Sequence, residues 1–244
     1  MTLAIRIIPM LLHSHGWLVK GTRFQSWRTV GHALQAARVH QARGVDELLF
    51  LDVAATPENK PSNVELLEKL TSECFMPVTA GGGVRSVDDV KNLLHHGADK
   101  VAIGAASQHG NVVRQCADAV GNQAIVAVIE IMNQRVFCRE PQNSKNPVEW
   151  ARYMESEGAG EILLMDRDRD GTCEGYDLEM VKRVSRAVNI PVVAAGGAGN
   201  YEHMFQAIEA GASAVAAGAM FQWLDHTPRG AAQYMAQRGM EVRL

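Results

Sequence analysis

Carboxylates stand at the ends of three short apolar runs. Asp52 closes Leu48 to Leu51, Glu130 follows Ala124 to Ile129, and Asp166 closes Ile162 to Met165, with Asp168 two residues on. Groups so placed could move protons, because acid–base chemistry needs ionisable groups on either side of a substrate. Glycines gather at comparable points: Gly81, Gly82 and Gly83 after one run, Gly104 after the next, Gly196, Gly197 and Gly199 after a later one, and Gly218 after the last. Without a Cβ, glycine lets backbone N–H groups reach an anion, and a following helix N-terminus favours negative charge. A lone Gly-Gly would signify tight strand–helix packing; paired clusters predict two phosphate sites, at Gly82, Gly83 and Gly104 and at Gly196, Gly197 and Gly218. Two histidines, His13 and His15, follow the first run. A zinc site needs three or four convergent ligands, and the later run ends add only Glu130 and Asp166, so neither a metal nor a cofactor is expected.

The beginnings of the runs carry a different set: Arg6, Glu47, Lys100 and Glu161, two charges of each sign. Charges taken out of water are tolerated when paired, so the plainest reading is a salt-bridge plug.

The elements that must hold these groups are written twice. Gly44 to Asp52 matches Gly158 to Asp166, Pro77 to Gly83 matches the stretch Pro191 to Gly199, and Gly97 to Gly104 matches Gly211 to Gly218. The offset is constant at 114 residues (158 less 44, 211 less 97). Two long copies indicate a duplicated half rather than a solenoid. β-Branched runs alternate with segments of helical period, which is the pattern of βα units. Strands are expected near Ile5–Leu11, Leu48–Val53, Pro77–Ala80, Lys100–Gly104, Ala124–Glu130, Ile162–Asp166, Val192–Ala195 and Ala214–Gly218. Helices are expected to start near Val30, Asn63, Val87, Asn111, Pro147, Leu178, Tyr201 and Gly230, with Ser86-x-x-Asp89 and Asn146-Pro147 as start signals. The expected fold is an α/β (β/α)8 TIM barrel over residues 1–244, with half-barrels of about 1–120 and 121–244. His13 to Trp27 is expected as a long, mobile first βα loop. In this fold chemistry sits at the C-terminal ends of the strands and stability at their beginnings.

Composition narrows the classes. A net charge of −3 offers no nucleic-acid or membrane footprint. Cys74, Cys116, Cys138 and Cys173 contain no Cys-x-x-Cys pair and read as reduced thiols. The run Ile5 to Leu12 is broken by Arg6 and is too short for a signal or a span, so the expected location is cytoplasmic.

Several motifs together resemble one family. Arg6-Ile7-Ile8-Pro9, Phe50-Leu51-Asp52, Gly81 to Ser86, Asp168-Arg169-Asp170-Gly171-Thr172, Gly175-Tyr176-Asp177, Gly196 to Gly199 and Gly239 to Leu244 are similar to the cyclase subunit of imidazole glycerol phosphate synthase, from end to end. That resemblance implies a barrel fed with ammonia by a separate glutaminase subunit. In the family, ammonia attacks a long bisphosphorylated ribulosyl substrate, which is cyclised and cleaved between two aspartates at the ends of strands 1 and 5. Here the first position is Leu12, which cannot carry a proton, and the second is Glu130, one methylene longer. The sister isomerase of the pathway also resembles this barrel and needs a carboxylate at the Leu12 position. Where the family's phosphate sites carry polar side chains, this chain has Gly104, Ala105, Ala195 and Ala219. Each lost hydrogen bond to a charged group is worth about 1.5–3 kcal/mol. Lys20 remains near the mouth, where it could meet an anion.

The run beginnings fare otherwise. The resemblance matches Arg6, Glu47, Lys100 and Glu161 to the family's ammonia gate, and Asp99 to its interface aspartate facing the glutaminase. Pro9-Met10-Leu11-Leu12 and Ser72 to Pro77 are further similar to a divergent branch associated with acetamidino modification of bacterial surface sugars. In that branch the barrel pairs with a glutaminase and passes ammonia to an ATP-dependent sugar amidotransferase. The reading favoured is an ammonia-channelling subunit without its own cyclase chemistry. Three alternatives stay open. One is a working histidine-pathway cyclase using Glu130 with His13 or Asp52. Another is a different reaction on a phosphorylated small molecule, using Asp52, Glu130, Asp166 and Asp168. The third is a scaffold that only activates a glutaminase.

Overall fold

A computed structural model of the protein describes residues 4–108, 111–138 and 144–243; Leu244, the last residue of the C-terminal motif, lies outside them. Eight parallel strands close into a barrel: β1 (Arg6–Ser14), β4 (Leu48–Asp52), β5 (Val78–Gly81), β6 (Lys100–Ile103), β7 (Ile125–Met132), β9 (Glu161–Asp166), β10 (Val192–Ala195) and β11 (Ala214–Ala217). A two-residue strand, β8 (Arg135–Val136), pairs antiparallel with the end of β7. The ring shuts where β1 pairs with β11, from Arg6 opposite Ala214 to Pro9 opposite Ala217. These are the eight expected strands, most ends shifting by a residue or two and β1 running on to Ser14. Helices α1 (Ala33–Ala42), α2 (Val64–Glu73), α3 (Val87–His95), α4 (Val112–Val120), α5 (Pro147–Ser156), α6 (Leu178–Ser185), α7 (Tyr201–Glu209), α8 (Ala219–Trp223) and α9 (Pro228–Ala236) surround it. The (β/α)8 barrel is thus the fold of the chain. Among the described residues no helix is long and apolar enough to cross a membrane.

The period of two along each strand divides the apolar residues into two layers. On β1, Ile8, Met10 and Leu12 point into the barrel, where they meet Leu49, Ala102, Leu163, Met165, Val193 and Ala216. Ile7 and Leu11 point outward into the layer between sheet and helices. Start signals operate as their chemistry requires. Ser86 and Asp89 form a reciprocal capping box on α3, and the Asn146 side chain accepts from Val148 and Glu149 N–H groups at the start of α5.

The first βα connection differs from expectation. His13 to Trp27 is not a loop; β1 continues into an antiparallel ribbon made of β2 (Trp17–Thr22) and β3 (Gln25–His32). His15 and Gly16 take left-handed backbone angles (φ 50° and 83°), as do Arg23 and Phe24 (55° and 56°), and such two-residue turns match the twist of a hairpin. Helix α1 accordingly begins at Ala33 rather than near Val30. A short helix, α8, follows β11 and was not legible in the periodicity.

His40, on the last turn of α1, is buried with an unpartnered Nδ1 and meets the Phe221 ring edge-on. Burial first, and then Arg43, depresses its pKa to about 4. The unfolded chain therefore takes up this proton at about pH 6.5, before the folded one does. Stability present at neutral pH is expected to fall by about 3 kcal/mol between pH 6.5 and pH 4 through this group alone. Denaturant titrations across that range should show a shallower loss in His40→Leu than in wild type; parallel curves would refute the assignment.

Candidate functional site

At the strand beginnings the four charges meet across the barrel. Arg6 bonds to Glu47 at 2.6 Å and to Glu161, while Lys100 reaches Glu161 at 2.8 Å and Glu47 at 3.2 Å. The Thr79 hydroxyl donates to Glu47 at 2.6 Å. Burial alone would raise the Glu47 carboxyl, but Lys100 and Arg6, with the Thr79 bond, outweigh it and hold the pKa below the usual range. Burial would likewise lower the Arg6 pKa, and its bonds to Glu161 and Glu47 raise it instead. The result is a closed ring of ion pairs. Asp99 is exposed beside it, one carboxylate oxygen accepting the Val78 N–H at 2.8 Å, so part of its role is to tie β5 to β6. Above the ring lie apolar side chains, several of them small: Ala102, Ala195, Ala214 and Ala216.

At the strand ends, Leu12 and Glu130 face one cavity of about 230 Å³, bordered by Gly82, Gly83, Gly104, Gln108, Phe24 and Phe137. Leu12 is buried at 1% exposure. Glu130 is ion-paired with Arg167, whose guanidinium lies between the Phe24 ring (4.4 Å to its centroid) and the Phe137 ring (3.9 Å). One oxygen of Glu130 is thereby engaged in a charge-assisted hydrogen bond instead of facing the cavity free. Arg167 was not picked out by sequence reasoning. The signal available was a cation among carboxylates, between Asp166 and Asp168, where β9 ends.

The other carboxylates at the strand ends serve the backbone. Asp52 Oδ1 accepts from the Ala54 and Ala55 N–H groups, and Asp166 Oδ1 from those of Asp168 and Arg169. Burial raises the Asp166 pKa, with those two backbone bonds opposing it. Asp168 Oδ2 accepts from Asn133 N–H at 2.6 Å. His13 points away from the cavity and stacks on Phe50 at 4.3 Å, and burial lowers its pKa. His15 instead reaches Glu58 at the surface. No group of three His, Cys, Asp or Glu side chains that could hold a metal occurs among the described residues.

The two glycine clefts have unequal fates. Gly82 and Gly196 occupy equivalent positions, both with positive φ (105° and 91°), and a Cβ on either would run into the carbonyl of Asp52 or Asp166. Packing therefore accounts for these two glycines without a ligand. The Gly83 N–H is already given to Thr56 Oγ1 at 3.0 Å. A Cβ on Gly104 would have only Val128 within 4 Å, and this glycine opens onto the cavity. In the second half, Lys20 descends from the hairpin until its Nζ stands 3.0 Å from where a Cβ on Gly218 would lie. Lys20 is not free at the mouth: it is 1% exposed and paired with Asp170, itself 2% exposed, at 3.1 Å. Arg23 N–H donates to the Asp170 carbonyl at 2.8 Å and Gly171 packs on Gly21, so the hairpin is held against the segment after β9 and reaches Gly218 through Lys20.

Comparisons with known proteins agree with this architecture. Residues 6–226 match the family model described as histidine biosynthesis protein. The chain is 42% identical over 250 residues to the imidazole glycerol phosphate synthase subunit HisF of Chlorobium phaeobacteroides, the match covering 99% of this chain and all of that one.

Proposed function

The chain belongs to the histidine biosynthesis protein family, among the cyclase subunits of imidazole glycerol phosphate synthase, and from that premise we propose that it has kept ammonia delivery and lost cyclisation. Its partner in this reading is a glutaminase subunit docked at the strand beginnings over Asp99. Ammonia passes the Arg6–Glu47–Lys100–Glu161 ring, crosses the apolar barrel axis and leaves at the mouth for a separate acceptor enzyme. The acceptor reaction is amidination of a sugar, as in the divergent branch that the Leu12 motif resembles.

One observation carries the proposal: the last carboxylate at the family's acid–base positions, Glu130, is bound to Arg167, while its counterpart is the buried Leu12. The four-charge ring is intact at the other end. Ammonia is small and neutral, so an apolar axis admits it, whereas ammonium would have to shed its hydration in a low-dielectric interior. Of the substitutes that a working cyclase would need, His13 faces the helical layer, and Asp52 borders the cavity with its Oδ1 engaged in capping a turn. Gly82, Gly83 and Gly104 border the cavity in one half, whereas in the other Lys20 stands against Gly218.

Lys100→Ala tests the ring. With Lys100 gone, Glu47 and Glu161 share Arg6 alone, and coupling between glutamine hydrolysis and ammonia use is expected to weaken by about tenfold, the scale of a 1–3 kcal/mol coupling energy. Circular dichroism should remain that of a folded barrel. Undiminished coupling in a folded Lys100→Ala protein would reduce the ring to a plug.

A further inference from the structure

The strand order of the sheet ends at β3, which pairs with β2 and, among the described residues, has no neighbour on its other side. Seven of its eight residues are exposed and the eighth, Gly31, is half-exposed. An open edge with apolar side chains is what native proteins normally cover. Here Trp17, Trp27 and Val30 are 46%, 39% and 37% exposed, and Leu224 (42%) adjoins Trp223, over which the Arg28 guanidinium sits. Trp27 also borders the mouth cavity, so this apolar edge begins where that cavity opens.

Charge selects what could cover it. No Asp or Glu occurs before Asp46, whereas Arg6, Lys20, Arg23, Arg28, Arg38 and Arg43 all do. Of the hairpin cations, Lys20 is paired with Asp170, while Arg23 and Arg28 have no carboxylate within ion-pair distance among the described residues. A second copy pairing edge to edge would bring Arg23 and Arg28 of both edges to one seam with no carboxylate from either strand, and like charges brought together there repel. An extended segment with acidic and apolar side chains meets both demands, with main-chain bonds to the edge and carboxylates on the arginines.

We propose that the open edge of β3 docks an acidic strand of the enzyme that consumes the ammonia, seating that enzyme over the barrel mouth. This rests on the ammonia-delivery reading. The test places the photo-reactive residue p-benzoylphenylalanine at Val30, or at the floor residue Phe75 (82% exposed) as a control, in the full-length protein in cells that make it. From Val30 the expected adduct is an acidic protein that is neither this chain nor the glutaminase. Purified, that protein should use glutamine-derived ammonia only with the barrel present, and should bind wild type about tenfold more tightly than Arg28→Glu, with affinity falling as salt rises. From Phe75 the expected adduct is the glutaminase, unchanged by Arg28→Glu. Adducts at Val30 only with a second copy, or none, while Phe75 still captures the glutaminase, would overturn the docking edge and leave ammonia delivery standing. Failure at Phe75 as well would remove both.

Discussion

Leu12→Asp is expected to yield no efficient cyclisation of the ribulosyl bisphosphate, with turnover remaining at least about a hundredfold below that of a working cyclase, the lower end of what one positioned acid or base contributes. The new carboxylate would enter a site that is 1% exposed and lined by Met10, Leu49 and Met165, where an unpaired charge is disfavoured and the acid tends to stay protonated. Its intended partner, Glu130, would still be held by Arg167. Lys20, held by Asp170, would still stand against Gly218, and Gly104, Ala105, Ala195 and Ala219 would still offer no side-chain donors. Steady-state assay of the folded variant with ammonium salt decides it. Near-native turnover would mean that these binding losses do not matter.

Lys20→Ala should produce the largest change in stability. It leaves Asp170 buried at 2% exposure with no cation, and breaking a buried ion pair from one side costs about 3–5 kcal/mol. Lifting the hairpin is the way to avoid that cost, because Asp170 then reaches water. The variant is therefore expected to combine a lower urea midpoint with rapid tryptic cleavage at Arg23 and Arg28. Replacing both partners, as in Lys20→Met with Asp170→Leu, should recover most of the loss, since apolar residues of similar volume often replace a buried pair without penalty. A Lys20→Ala protein as stable and protease-resistant as wild type would show that this pair does not hold the hairpin down.

The barrel was legible because its signals are local and repeated. Strand-length apolar runs, helix caps such as Ser86 and Asn146, and the offset copies of Gly44 to Asp52 all report on neighbours in sequence. The ring at the strand beginnings was legible for a related reason, since four charges at equivalent positions of parallel strands must meet once the barrel closes. The hairpin was hidden because its turns use His15-Gly16 and Arg23-Phe24 instead of the Asn-Gly or Asp-Gly pairs that announce such turns. The contents of the mouth were hidden too. Arg167 meets Glu130 across 37 residues and Lys20 meets Asp170 across 150, and no local pattern encodes either pair. The glycine clusters carried two meanings at once. Gly82 and Gly196 are explained by the carbonyls of Asp52 and Asp166 that press on them, whereas Gly104 has open space and faces the cavity.

The central claim is that this barrel delivers ammonia and does not itself cyclise. It is tested most directly by incubating the purified wild-type protein with the family's ribulosyl bisphosphate and excess ammonium salt at alkaline pH, where free ammonia bypasses any glutaminase and reports on the mouth of the barrel alone. No imidazole glycerol phosphate is expected from a folded sample. Robust formation of that product would contradict the claim, and would mean that Glu130, despite its bond to Arg167, serves a cyclase that works with leucine at position 12.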